Sequence, residues 1–504
     1  MHVMGHTSGF DWGGFAARGL NILGSLFLLL LGLIALLVIV FFILDVTQTK
    51  DAVRRNYPVL GRFRKLFSSL GEFFRQYLFA MDREEMPFNR AERDWVDHVS
   101  KEGSVTVPFG STRPLTTGAA IFANGLFPKL EGEHSHQAGL VIGPDTKRPY
   151  TPFSFFNISA MSYGSLSEPA VRALSHGAGL AGCWLNTGEG GLSPFHLEGD
   201  CDIVFQLGTA KFGARNEDST LNGEKLAEIC AHDQVKMIEI KLSQGAKPGK
   251  GGILPASKVT AEIAKIRGIP EGKAAISPNR HVDAGNPAEL LDLIEKVRSI
   301  SGRPTGIKFV VGNMAPIEEL ITEIKRRGAD SAPDFITLDG GDGGTGAAPM
   351  PLIDNVGLTI REGLPLMDDL LRKEGLRDRI RLICAGKLIT PAEVAWAFCA
   401  GADFVNSARG FMFALGCIQA LKCNQNTCPT GITTHDKRYQ RGLNPENKAV
   451  RVSKYCKNMV KEVEMIAHSC GADCPRDLTR DHVLIVQQDG HSEKLSKAWE
   501  DSLL

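Results

Sequence analysis

From about residue 151 the chain alternates short, continuous apolar runs with longer segments of helical period. That is the pattern of strands buried on both faces and joined by crossover helices. Eight runs stand out: "SFFNISA" from Ser154, "CWLNT" from Cys183, "IVFQL" from Ile203, "MIEIKL" from Met237, "GIKFVV" from Gly306, "FITLDG" from Phe335, "RLICAG" from Arg381 and "DFVNSA" from Asp403. Eight strand–helix units predict an α/β fold of the (β/α)8 TIM-barrel class, whose chemistry sits on the loops after the strand C-termini. A doubly wound open sheet gives similar alternation, but no strand leads convincingly into G-x-G-x-x-G, so a dinucleotide-binding half is not evident. Polar and glycine-rich motifs follow the runs: "MSYGSLS", "GEGG", "KLSQGAKPGKGG", "GGDGGTGAAP", "AGKL" and "SARG". In a barrel all of them share one rim.

Ahead of the barrel, "LNILGSLFLLLLGLIALLVIVFFILD" contains an uncharged run from Leu20 to Leu44, long enough as a helix to cross about 30 Å of hydrocarbon. A secretory signal has a shorter apolar region, roughly 7 to 15 residues, and a small-residue cleavage site that is missing here, so the run reads as a single membrane span. Arg18 precedes it, whereas Lys50, Arg54, Arg55, Arg62, Arg64 and Lys65 follow. The positive side is therefore C-terminal, which predicts a cell-membrane protein whose body faces the cytoplasm. The expected organisation is a tail at 1–19, a transmembrane helix at 20–44, and a basic juxtamembrane segment with an N-terminal extension at 45–150. The barrel then occupies 151–415, and a cysteine loop with a helical tail fills 416–504. The segment "VRRNYPVLGRFRKLF" suits attraction to anionic lipid.

Composition narrows the function classes. Across 504 residues, 57 Lys and Arg balance 57 Asp and Glu, so no basic surface points to nucleic acid. The 54 glycines cluster between apolar segments, as suits many tight strand-to-helix loops. In a reducing compartment the 11 cysteines point to metal or redox roles rather than disulfides.

Phosphate-binding barrels use the loops after strands 7 and 8, where Gly386, Lys387, Ser407 and Arg409 stand. The set suits the phosphate of a flavin mononucleotide (FMN), with Lys308 on strand 5 beside the flavin ring; ordinary loop glycines and a solvated lysine are the plain alternative. In "LDGGDGGTGAAP", Gly343 and Gly344 lie where backbone must approach something closely, a cofactor ring or simply a flexible turn. Lys241, Lys247 and Arg267 follow strand 4 and suit a substrate bearing carboxylates, unless they are solvated surface charges. In "GCIQALKCNQNTCPTG", Cys417, Cys423 and Cys428 suit iron and sulfide, or zinc with His435 as a fourth ligand. Cys183, Cys201, Cys230, Cys384 and Cys399 lie in or near apolar runs and read as buried structural thiols, while Cys470 and Cys474 carry no assignment.

Taken in order, "SAMSYGSLSE", "NTGEGG", "IKLSQGAKPGKGG", "DGGTGAAP" and "ALGCIQALKCNQNTCPTGITTHD" resemble the synthase domain of glutamate synthase over about residues 150 to 440. The segment "RNYPVLGRFR…FFRQYLF…PFNR" resembles the short, membrane-anchored members of the flavin-binding glutamate synthase family. The resemblance implies FMN and a [3Fe-4S] cluster held by Cys417, Cys423 and Cys428. It implies Lys247 and Arg267 at the carboxylates of 2-oxoglutarate, and Glu189 where ammonia meets the keto acid. Lys308, Gly386, Ser407 and Arg409 would serve FMN, with Ser162 and Thr187 near its ring. It further implies an electron-donor protein, ferredoxin or a reductase subunit. The chain opens on "MHVMGHTSGF" rather than a nucleophilic cysteine, so ammonia is expected from solution or from a separate glutaminase subunit. Lys250 and Ile253 replace an acid and a glutamine of the family pattern, and Ala348 a serine, departures that bear on substrate rather than cofactor, and two alternatives stay open. One is a related enzyme acting on another amine or keto acid, such as an N-methylglutamate-forming one; the other is a catalytically silent membrane redox scaffold.

Overall fold

The computed structural model describes residues 12–48, 52–74, 78, 81–101, 106–130 and 139–502. The first eleven residues of the expected tail, and Lys50 of the basic segment, lie outside them. The chain divides into two compact units, Met1–Arg90 and Ala91–Leu504.

In the first unit, helix Trp12–Thr47 contains a stretch, Arg18–Thr47, that is long and apolar enough to cross a membrane and buries none of its apolar core within the protein. Near its end Asp45, fully buried, accepts hydrogen bonds from Arg54 Nη2 at 2.6 Å, Arg62 Nε at 2.8 Å and the Val59 amide at 3.0 Å. Two cations and an amide on one carboxylate fold the short helices Ala52–Asn56 and Leu60–Phe74 back onto the end of the long one.

The second unit is built on a closed barrel of eight parallel strands: β1 Phe156–Ile158, β2 Leu185–Asn186, β3 Ile203–Leu207, β4 Val235–Lys241, β5 Thr305–Phe309, β6 Phe335–Asp339, β7 Arg381–Ala385 and β8 Phe404–Ser407. All eight apolar runs become these strands. Most strand residues are buried, the consequence of helices outside and packed side chains within. Val405 pairs with Phe156, closing β8 onto β1, and a register shift at Ile203/Val204 bends β3 against β4. Helix Glu168–Ala181 shows how the crossovers are delimited. Ser167 caps it by accepting from the Ala170 amide, a proline occupies its first turn, and Gly182 ends it in left-handed backbone at φ 74°.

The barrel interior is not wholly apolar. Glu239, 1% exposed, accepts from Asn186 Nδ2 at 2.8 Å, Gln206 Nε2 at 2.6 Å and Thr337 Oγ1 at 2.6 Å, so its carboxylate is held by three neutral donors from three other strands. Outside the barrel, strand Ala120–Phe122 pairs antiparallel with Val483–Val486, which in turn pairs with Ser492–Lys494, tying the start of this unit to its end. The long helix Pro445–Ser469 packs on Glu168–Ala181 and sends Tyr455 against Phe156 and Phe411.

Candidate functional site

At the C-terminal ends of the strands the loops enclose an open cavity, the rim on which barrel chemistry collects. Three groups of side chains line it.

The first comes from the end of β4 and the long connection after it. Lys241, Lys247 and Arg267 are 7%, 5% and 3% exposed, so they are not solvated surface charges. Lys241 Nζ stands 3.0 Å from Glu189 Oε1, the carboxylate of the turn after β2. Arg267 ends helix Ala261–Arg267, donates Nη2 to the Tyr163 carbonyl at 3.1 Å, and keeps Nε buried without a hydrogen-bond partner. Burial pushes the Glu189 carboxyl up, but the surrounding cations Lys241, Lys247 and Arg267 outweigh it and hold the group below the usual carboxylate value. Burial and then repulsion from Lys241 bring Lys247 down to about 8 against the pull of Glu189. One carboxylate thus sits in the field of three buried cations, a field built for an anion.

The second group lies at the barrel centre. Lys308 Nζ on β5 meets Asp339 Oδ2 on β6 at 3.2 Å, and the same oxygen accepts from the Gly245 amide at 3.0 Å. Burial lowers the Lys308 pKa, yet Asp339 and Glu239 more than reverse this, so the ammonium stays charged.

The third group follows β7 and β8. Gly386 and Lys387 take left-handed backbone, φ 134° and 54°, and a Cβ on Gly386 would stand 3.0 Å from the Gly340 amide nitrogen. Arg409 reaches back over Gly344 to donate to the Thr345 carbonyl, while Lys387 Nζ is 3.8 Å from Asp342. Asn406 Oδ1 is buried without a partner.

Beyond β8 the cysteine loop is stitched to its surroundings. His435 Nε2 bonds the Gly164 carbonyl at 2.8 Å, the Ser167 amide donates to the Ile432 carbonyl at 2.8 Å, and Asn426 Nδ2 donates to the Ser257 carbonyl at 3.3 Å. Burial raises the Cys417 thiol. For Cys428 burial acts the same way, but hydrogen bonds with Thr430 and Thr433 outweigh it and bring the thiol below its ordinary value. Among the described residues no three His, Cys, Asp or Glu side chains are grouped to hold a single metal ion. His435 is engaged elsewhere and is neutral, with burial drawing its pKa down to about 4.

A family model described as "Conserved region in glutamate synthase" matches residues 122–473, more than half of the chain. The chain belongs to the glutamate synthase family. Within it, the chain is 39% identical over 512 residues to the glutamate synthase large subunit-like protein YerD of Bacillus subtilis, covering 93% of this chain and 97% of that one. It is 33% identical over 320 residues to the archaeal-type glutamate synthase [NADPH] of Dehalococcoides mccartyi, with 64% of this chain and 61% of that one aligned. The archaeal-type relatives are thus matched over only about three fifths of their length. Among solved structures, the flavin-binding domain of baker's yeast flavocytochrome b2 aligns at 14% identity and a TM-score of 0.42, over 72% of this chain and 75% of that one, a likeness too loose to carry an assignment.

Of the family's expected site residues, Ser162, Glu189, Lys247, Arg267, Lys308, Gly344, Gly386, Lys387, Ser407, Arg409 and Cys423 line the cavity. Thr187, Gly343, Cys417 and Cys428 do not. Thr187 is fully buried, its hydroxyl accepting from the Gln206 amide at 3.1 Å, which fastens β2 to β3 below the cavity. Gln206, Asn406 and Lys258 also line the cavity and were missed. The signal for Gln206 was present: it is a lone polar residue near the end of the otherwise apolar run "IVFQL".

Proposed function

We propose that the protein is a membrane-anchored oxidoreductase that forms L-glutamate by reductive amination of 2-oxoglutarate. The observation that carries this reading is the buried Lys241 in contact with the Glu189 carboxylate, with the buried Lys247 and Arg267 acting on the same carboxylate through their field, beside a buried, charged Lys308. An unbalanced cationic pocket suits a dicarboxylate, and the family supplies the reaction class.

The residues present fit FMN. Lys387 follows Gly386, whose positive-φ backbone would bring a Cβ within 3.0 Å of the Gly340 amide nitrogen, Arg409 lies over Gly344, where a Cβ would stand 2.8 Å from its Nε, and Asn406 Oδ1 offers an unspent buried acceptor. Lys387, Ser407 and Arg409 would hold the phosphate and Lys308 would stand at the ring. The donor set Cys417, Cys423 and Cys428 fits an iron–sulfur cluster better than zinc, because a cluster spreads its thiolates over several iron atoms and does not need them to meet at one point. When bound, the flavin supplies a hydride to the substrate carbon and the cluster one-electron relay.

The chain's own residues prepare that step. Lys247 and Arg267 fix the two carboxylates and so orient C2 of the keto acid. The Glu189 carboxylate, kept ionised by its cations and so only a weak base, would accept a hydrogen bond from ammonia, which adds to C2 as the free base; loss of water from the adduct leaves the imine. Closure of the pocket around the resulting imine limits its hydrolysis. Electrons would come from a ferredoxin or a reductase subunit, ammonia from solution or a glutaminase partner, and helix Trp12–Thr47 would anchor the cytoplasmic body in the cell membrane. A second reading, amination by an alkylamine, draws on Ile253, an apolar residue at the cavity wall where a polar one is usual.

The test is to reduce the protein anaerobically, add 2-oxoglutarate with ammonium or with methylamine, and follow the oxidised flavin band and the product. Reoxidation with glutamate formed supports the first reading and with N-methylglutamate the second; no reoxidation by either, in protein holding FMN, overturns both. Lys247 also sets a pH dependence. It is charged below about pH 8 and neutral above, so 2-oxoglutarate should bind the oxidised protein tightly below that pH and progressively more weakly above it. In Lys247→Arg the affinity should stay flat across the same range, and calorimetry without ammonia reads both.

A further inference from the structure

We propose that Lys258 is a positioning residue that ties the cysteine loop to the substrate-binding connection and supplies the positive charge facing the cluster. The proposal rests on the cluster assignment made above.

Lys258 is 2% exposed, and its ammonium donates to two backbone carbonyls, Ser165 at 3.1 Å and Cys423 at 2.9 Å. A buried ammonium is costly unless a negative group compensates it. Beside the neutral His435, the ionisable groups that face Lys258 are the thiols of Cys423 and Cys428 rather than a carboxylate. A cluster ligated by thiolates would supply the missing negative charge.

Its position also joins two sites. Ser257, its neighbour in the chain, accepts from Asn426 of the cysteine loop, and Thr260 caps the helix that ends in Arg267. Arg267 and Lys258 therefore hold one loop at two points, the Tyr163 and Ser165 carbonyls. The other side of that loop bonds the cysteine loop through Gly164 and Ser167. A substrate carboxylate pulling on Arg267 thus acts on the same few residues that seat Cys423.

The test uses the full-length protein purified anaerobically, with Lys258→Met and Lys258→Arg compared with wild type for FMN, iron content and the cluster's reduction potential. Loss of a nearby positive charge disfavours the reduced cluster, so Lys258→Met should keep its FMN while losing iron or titrating at a lower potential. Lys258→Arg should hold wild-type iron at a potential close to wild type. Lys258→Met with wild-type iron and potential would overturn the proposal. If Lys258→Met does not fold, Lys258→Gln, which keeps a donor without the charge, takes its place. Wild-type protein without iron would sink the cluster reading instead. Alkylation of Cys423, followed by mass spectrometry, then decides the tie: several-fold faster labelling in Lys258→Met supports it, and equal rates overturn it.

Discussion

Replacing Lys308 by methionine should give a protein that melts several degrees lower and retains little flavin. Lys308 is the ammonium at the barrel centre, 3.2 Å from Asp339, with Glu239 the next carboxylate. Without it Asp339 keeps only the Gly245 amide and Glu239 only its three neutral donors, so two buried carboxylates lose their cation. Breaking a buried pair from one side costs about 3–5 kcal/mol, because the remaining charge is left uncompensated. The double variant Lys308→Met, Asp339→Asn separates the two roles. It should recover much of the melting temperature, since one stranded charge is gone, but not the flavin content, since the cation beside the ring is still missing. Full recovery of flavin in the double variant would mean that Lys308 serves the barrel alone.

Gly252→Ala should do the opposite, sparing stability and cutting turnover. Glu189 lies in a slot between two glycines: a Cβ on Gly252 would stand 2.0 Å from its Oε1, and one on Gly208 2.7 Å from its Oε2. The clash falls on the far end of a flexible side chain at the cavity wall, so the carboxylate swings into the cavity, where water can take up its charge, at little cost in stability. Its 3.0 Å contact with Lys241 then breaks and the carboxylate leaves its place. A displacement of about 1 Å in a positioned group can cost on the order of 10²-fold in rate, and a loss of that size in kcat is expected with FMN content and melting temperature near wild type. In a Glu189→Ala background the alanine at 252 should cost nothing further, because the group it displaces is already gone. An added loss there would place the effect of the methyl elsewhere in the loop.

Much of this architecture was legible along the chain. Each barrel strand coincides with an apolar run, because a strand covered by helices outside and by side chains within has no polar face to betray its register, and continuous apolar residues bounded by glycine are what remains. The rim was legible for the same reason, since the polar residues that a buried strand cannot hold collect where it ends. Thr187 was not: it stands in a motif that resembles a flavin-binding sequence, but in the fold its hydroxyl is spent on the Gln206 amide. Sequence spacing says which loop a side chain belongs to and not whether it points up into the cavity or down onto the next strand.

By itself, then, the order of apolar runs and motifs determined the barrel, the family and the set of charged and thiol residues available to a site. Only the tertiary structure decided which charges are buried together. Lys241, Lys247 and Arg267 are equally compatible with a solvated surface until the connection after β4 folds over Glu189. Lys258 carries no sequence signal at all, because its two partners are backbone carbonyls of Ser165 and Cys423, at separations of 93 and 165 residues. Burial and long-range pairing are properties of the closed barrel and its loops, and they turn ordinary lysines into an anion pocket and a clamp on the cysteine loop.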